Sequence, residues 1–280
     1  MKKIGFIDFY LSEWHANNYP GWIKESCEKT GKEFTVAYAW AELDQSPSDG
    51  MTSAEWCRKF GCELCGSIEE VCEKSDYIII LSPDNPEKHL SYAERVLKFG
   101  KPTYIDKTFA PDLETAKKIF KLAKEYKTPM FSASALGFAD ELKSFASPVK
   151  SVISTGGGGA LERYCVHQLE MIVTLMGCGA KRAIAACVGE NTSVSIDYGD
   201  GRAAVLNYSP SYDFSVSIDN GKEVKFTPIR SEFFKNLIKS VLELFETGIP
   251  ALSREHTLEV MAVRDGVLKA QKNRCEWVKI

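Results

Sequence analysis

The stretch Ser75–Ala110, SDYIIILSPDNPEKHLSYAERVLKFGKPTYIDKTFA, decides the fold. Tyr77–Leu81 is an unbroken apolar run with isoleucines at its centre, as expected of a strand buried on both faces. Ser82-Pro83-Asp84-Asn85-Pro86 ends that strand and opens a helix, with Pro86 suited to the first turn. Leu90, Ala93, Val96 and Leu97 give the helix one apolar face, and Gly100 closes it as a left-handed cap. Pro102–Ile105 is the next strand, ending at Asp106 and Lys107. A strand, a crossover helix and a strand of this size make a right-handed βαβ unit in a parallel sheet. Ligands of such sheets bind beyond the carboxyl ends of the strands. Two polar clusters fall there, Ser82–Asn85 and Asp106-Lys107-Thr108.

Outward from this unit, strands and helices alternate. Lys3–Asp8 reads as the first strand, Ser12–Tyr19 as a polar loop, Pro20–Thr30 as a helix capped by Gly31, and Glu33–Trp40 as the second strand. Thr52-x-x-Glu55 and Ser67-x-x-Glu70 have the form of capping boxes before two short helices. Pro111 and Asp112 open a further helix, and Pro129–Ala133 is another strand. This alternation up to about residue 134 predicts a Rossmann-like, doubly wound parallel sheet. Beyond it the pattern changes. A helix over Tyr164–Met176 stops at Gly177, and Asp200-Gly201 and Asn220-Gly221 separate strand pairs as tight turns do. Two long helices follow, Ser231–Thr247 and Ser253–Gln271. Residues 135–280 are therefore expected to form an α+β domain with an open, largely antiparallel sheet, and residues 1–134 the first domain.

Composition narrows the classes of function. The 280 residues are 44% hydrophobic and 26% charged, a soluble globular balance. A net charge of −3 offers no electrostatic reason for nucleic acid or an acidic membrane surface. No apolar run reaches the roughly 20 residues that span a bilayer. MKKIGFIDFYL is broken by Asp8 and reads as a strand rather than a signal peptide. Nine cysteines, an odd number, point to reduced thiols and a cytoplasmic setting. Cys57, Cys62, Cys65 and Cys72 have spacings seen in metal sites, but Cys62 and Cys65 on one strand would face opposite ways, so they are read as small buried hydrophobes.

Three segments resemble the Gfo/Idh/MocA family, the relatives of glucose–fructose oxidoreductase and inositol dehydrogenase. The Ser75–Ala110 run is similar to the family's strand, T-P-N turn, His-containing helix and E-K-P segment. GGGGALERYCVHQLEMIVTLMG, starting at Gly156, resembles its G-G-x-x-x-D-x-x-x-H-x-x-D segment. FFKNLIKSVLELFETGIPALSREHTLEVMAVRDGVLKA resembles its C-terminal helix pair around a G-x-P turn. The resemblance implies an NAD- or NADP-dependent oxidoreductase acting on a sugar, cyclitol or related polyol. The alternative is a non-catalytic relative that binds a small metabolite or a protein partner without nucleotide. It also implies a homodimer or homotetramer.

Carried over residue by residue, the resemblance makes Lys107 and His167 the catalytic pair. The ammonium would favour a developing alkoxide and the imidazole would move the proton. Arg163, Tyr164 and Glu170 fall at substrate-binding positions, with Arg163 where the family often has an aspartate. An arginine there suits an anionic group as a fork but cannot relay protons. Asp8, Tyr10, Trp40, Ser82, Pro83, Asn85 and Asp106 fall at cofactor-binding positions. Asp8, Tyr10 and Glu13 stand where the family's G-x-G-x-x-G has glycine, so side chains lie where the pyrophosphate would approach backbone. Asp8, Glu13 and His15 are also metal-ligand types, but a capped, hydrogen-bonded loop is the preferred reading and no metal is assigned. His89 is expected to pack and His256 to face solvent.

Overall fold

The apolar run at 77–81 is a strand, Tyr77–Ile80, and its neighbours on both sides run parallel to it. The computed structural model describes residues 1–143, 145 and 148–280, which fall into two units. In the first, the elements are β1 (Lys2–Asp8), α1 (Trp14–Thr30), β2 (Phe34–Ala41), α2 (Ser53–Phe60), β3 (Glu63–Leu64), α3 (Ile68–Lys74), β4 (Tyr77–Ile80), α4 (His89–Val96), β5 (Thr103–Ile105), α5 (Leu113–Glu125) and β6 (Met130–Phe131). The sheet order is β3-β2-β1-β4-β5-β6, all parallel. This is the doubly wound order, with the switch point between β1 and β4. Ile78, Ile79 and Ile80 are fully buried, as two covered faces require.

Local chemistry explains most of the boundaries. Thr52 and Glu55 form a reciprocal capping box, and Gly61 closes α2 at φ 72°. Ser67 takes only its own half of the second box, because the Glu70 carboxylate turns to the Gly66 N–H at 2.7 Å. Asp112 caps α5 through the Thr115 N–H. Gly5 is needed where α3 crosses β1, since a Cβ there would lie 2.3 Å from Val71 and 2.4 Å from the Ser75 hydroxyl.

One boundary differs from expectation. Residues 12–19 were expected as a loop with the helix starting at Pro20, but α1 starts at Trp14 and carries Pro20 inside it. The Glu13 carboxylate caps the helix by accepting the His15 N–H at 2.7 Å and the Ala16 N–H. Glutamate is an uncommon cap, and Pro20 is a strong start signal, so the sequence pattern points to the wrong turn.

The second unit holds α6 (Asp140–Lys143), β7 (Ser151–Gly156), α7 (Leu161–Met176), β8 (Arg182–Val188), β9 (Asn191–Asp197), β10 (Ala203–Tyr208), β11 (Ser215–Asp219), β12 (Val224–Pro228), α9 (Arg254–Lys272) and β13 (Val278–Lys279); α8 (Phe233–Thr247) precedes α9 in the chain. The sheet order is β12-β11-β7-β10-β9-β8-β13, antiparallel except between β7 and β10. The α7 and α9 helices cover one face, where Val152, Ala204, Leu206, Val194 and Ile196 are fully buried. The other face leaves Ile153, Val188 and Phe226 exposed.

The run Gly156–Gly159 is a packing requirement. A Cβ on Gly157 would sit 1.9 Å from the Ser209 carbonyl oxygen, and one on Gly158 would sit 2.1 Å from the Tyr164 ring. The expected division at residue 134 needs a correction, because Leu237–Ser253 belongs to the first unit. Phe245 stacks on Tyr77 at 4.8 Å and lies 6.2 Å from Phe34, while Glu246 pairs with Lys2 and Lys32. A helix read as one amphipathic face gives no hint of which sheet it will cover. Among the described residues no helix is long and apolar enough to cross a membrane.

Candidate functional site

In the first unit the carboxyl ends of β1, β4 and β5 carry the residues singled out from sequence. The loop after β1 is closely held. Glu42 and Leu43 donate their N–H groups to the Asp8 and Phe9 carbonyls at 3.1 and 2.8 Å, and the Ser46 hydroxyl donates to the Ser12 carbonyl at 2.9 Å. Asp8 is buried. One carboxylate oxygen accepts the Phe9 N–H at 2.7 Å, and the other has no hydrogen-bond partner among the described residues. Burial, and next the neighbouring Glu13 carboxylate, push the Asp8 carboxyl well above its usual range. Burial likewise pushes Glu13 up to about 7, against the pull of His15 and the capped N–H groups. Tyr10 is half-buried, with Asp84 beside it.

At the end of β5, Asp106 faces inward. Its carboxylate pairs with the His15 Nδ1 and accepts the Tyr19 and Tyr104 hydroxyls at 3.3 and 3.2 Å. Burial works to raise its pKa, but His15 and Lys107 outweigh that and the net shift is downward. Asp106 thus fastens α1 to β5. The next residue, Lys107, is half-buried, and its ammonium donates to the Pro83 carbonyl at 3.3 Å across the ends of β5 and β4. The Lys107–Thr108 peptide is cis. Ser82 is buried at φ 75°, a left-handed conformation that non-glycine residues rarely adopt. Asn85 does not cap the following turn; its amide reaches Glu87 at 3.1 Å. His89 is fully buried, with its two ring nitrogens 3.0 and 2.6 Å from the Phe109 and Leu81 carbonyls. Trp40 lies at the end of β2 against the Tyr92 ring and the Arg95 guanidinium, both under 6 Å away.

The α1 N-terminus is the place where a dinucleotide pyrophosphate would take backbone N–H groups. The His15 and Ala16 N–H groups there are already bonded to Glu13, and Asp8 at the end of β1 is buried. An anion brought there would have to displace the Glu13 side chain from the helix end. The residues present do not fit a pyrophosphate in that position.

The second unit holds a separate polar network. His167 and Glu170 lie one turn apart on α7. The Ser134 hydroxyl is 2.7 Å from the His167 Nδ1, and the Ser134 N–H donates to Glu170 at 2.8 Å. His256, near the start of α9, donates from Nε2 to the other Glu170 oxygen at 2.5 Å. This corrects the expectation of a solvent-facing His256, whose side chain is only 14% exposed. Its partner lies 86 residues away, so local periodicity could not show the pairing. The edges of Tyr164 and Phe214 flank the His167 ring at 5.5 and 5.8 Å. Tyr164 covers Gly158 and Gly159, and Arg163 is exposed. Sequence reasoning missed Ser134 as well as His256. Among the described residues no group of three or more His, Cys, Asp or Glu side chains is arranged to hold a metal ion.

Residues 26–133 match the family model described as "Oxidoreductase family, NAD-binding Rossmann fold", the Gfo/Idh/MocA model. The match starts past β1 and the Glu13 cap. The curated uncharacterized oxidoreductase YhhX of Escherichia coli (strain K12) is 27% identical over 132 residues, which span 39% of this chain and 38% of that protein. Two solved structures share the fold over nearly full length. An oxidoreductase from Agrobacterium radiobacter in complex with NAD+, L-tartaric acid and magnesium has a TM-score of 0.77 at 14% identity, covering 99% of this chain and 98% of its own. Apo scyllo-inositol dehydrogenase from Lactobacillus casei has a TM-score of 0.77 at 13% identity, with the same coverage. Residues 26–133 thus carry the NAD-binding Rossmann segment that the Gfo/Idh/MocA model describes, and the chain as a whole shares the two-sheet fold of these solved structures.

Proposed function

We propose that the chain is an oxidoreductase that interconverts a hydroxyl and a carbonyl on a sugar, cyclitol or related polyol, with NAD or NADP as the hydride partner. The observation that carries this reading is Lys107. Its ammonium stands at the carboxyl end of β5, half-buried, and among the described residues it is held by one main-chain carbonyl, that of Pro83. An ammonium so placed donates to a substrate oxygen and stabilises negative charge developing on it. His167 is the proton-handling group, Tyr164 flanks it, and Arg163 supplies an exposed fork for an acidic substituent. Because Glu13 holds the α1 N–H groups, no role in this reading falls to them.

A second reading has its own observation. The Glu13 cap and the buried Asp8 favour a relative that binds a small metabolite without nucleotide. Calorimetric titration of NADH and NADPH into dialysed protein separates the two. Micromolar binding supports the oxidoreductase, with Lys107→Ala then expected to lose on the order of 100-fold in kcat/KM in a polyol screen. No binding up to millimolar cofactor overturns it and leaves the second reading. The nine cysteines are free thiols, which supports a reducing, cytoplasmic setting. Self-association as a homodimer or homotetramer through the uncovered face of the second sheet completes the proposal.

A further inference from the structure

We propose that Ser134, Glu170 and His256 are positioning residues that fix the tautomer of His167, with the hydrogen on Nε2. The argument starts from one buried hydroxyl. Ser134 is 1% exposed, and its oxygen already accepts the Leu136 N–H at 3.4 Å as the cap of the turn that follows. Its other neighbour is the His167 Nδ1 at 2.7 Å. If Nδ1 carried the hydrogen, the serine oxygen would take two donors, and its own hydrogen would face no other acceptor among the described residues. A buried donor left without an acceptor loses its hydration and gains nothing in return. If Nδ1 is bare, the hydroxyl donates to it and both the hydrogen and the oxygen of Ser134 are satisfied. A neutral His167 therefore carries its hydrogen on Nε2 and offers a donor there.

The serine is itself held. Its N–H is bonded to Glu170, whose other oxygen takes the His256 Nε2–H. Gly137 packs so closely on Glu170 that a Cβ there would lie 2.8 Å from its Cγ. The carboxylate, 2% exposed, is thus gripped from the turn, from its own helix and from α9. This chain of contacts deepens the reading of His167 as a substrate-facing group and rests on it. In the neutral state His167 hydrogen-bonds a substrate oxygen as a donor, in the same sense as an ammonium.

Nitrogen NMR on protein labelled at histidine tests this without substrate. The chain has four histidines, His15, His89, His167 and His256, so the spectrum is sparse, and His167→Gln identifies the signal. At a pH above the imidazole range, His167 is expected to show a bare Nδ1 and a protonated Nε2. Ser134→Ala is expected to bring in the other tautomer, Ser134→Thr to restore the first, and His256→Leu to shift His167 in the same direction as Ser134→Ala. A protonated Nδ1 in the unaltered protein overturns the proposal. So does a His167 spectrum unchanged in both Ser134→Ala and His256→Leu variants whose circular dichroism is native. Because the tautomer is read without turnover, the expected spectrum in a protein that shows no dehydrogenase activity would count against the oxidoreductase reading alone.

Discussion

Glu13 keeps a proton that an ordinary glutamate gives up. Burial raises its carboxyl to about 7 from an ordinary 4.5. Between those values the folded chain binds a proton that the unfolded chain releases, so stability falls as pH rises across the window and levels off above it. The full effect is on the order of 3 kcal/mol, at about 1.4 kcal/mol per pKa unit. Asp8 is shifted in the same direction and adds to the trend. Chemical denaturation of the protein and of Glu13→Gln at about pH 5 and about pH 8 is expected to show the difference between them moving against the unaltered protein at the higher pH. A pH-independent difference would mean that Glu13 titrates normally. A second expectation concerns the helix end that Glu13 occupies. Glu13→Ala is expected to bind NADH at least about tenfold more tightly than the parent, an N-terminal anion site being worth more than 1 kcal/mol in a partly buried setting. Equal affinities by calorimetry would show that the cap does not compete.

At the scale of elements, what could be read from sequence was whatever is encoded within about ten residues. The Ile78–Ile80 run, the Gly100 stop, the Thr52–Glu55 box and the Asp200-Gly201 and Asn220-Gly221 turns each carry their cause locally, and each appears in place. What could not be read depends on partners far along the chain. The start of α1 follows from an unusual cap. The β8 strand, which no pattern announced, is fixed by pairing with β9 and β13. His256 and Ser134 acquire meaning only through Glu170 and His167. The glycine run 156–159 lay between, visible as a motif but not as a cause. Its cause is contact with main chain that cannot give way, so Gly157→Ala is expected to cost about 3 kcal/mol or to prevent folding, read as a lower urea midpoint. An unchanged midpoint would mean that the Ser209 segment moves aside.

At the scale of the whole molecule, the uncovered face of the second sheet carries the next prediction. Its aligned residues include Ile153, Val188, Val224 and Phe226, the last three 78%, 72% and 65% exposed. A groove of about 900 Å³ bordered by Thr155, Asn207, Tyr212 and Arg230 runs across the same face. Apolar surface in this quantity marks an association site more often than a free one. Light scattering is expected to give a dimer or tetramer mass, and Phe226→Glu is expected to reduce it to that of one chain. A parent protein already of monomer mass would refute the proposal. The return of Leu237–Ser253 to the first unit has a consequence of another kind, for inheritance. A module made from one uninterrupted stretch can be exchanged between genes by cutting at a single seam. Here Phe34 and Tyr77 draw their cover from Phe245, encoded over 160 codons downstream. A gene fusion that carried off only the first 134 codons would deliver a sheet stripped of that cover, so the Rossmann unit of this chain can change hands only with the far end of its own gene.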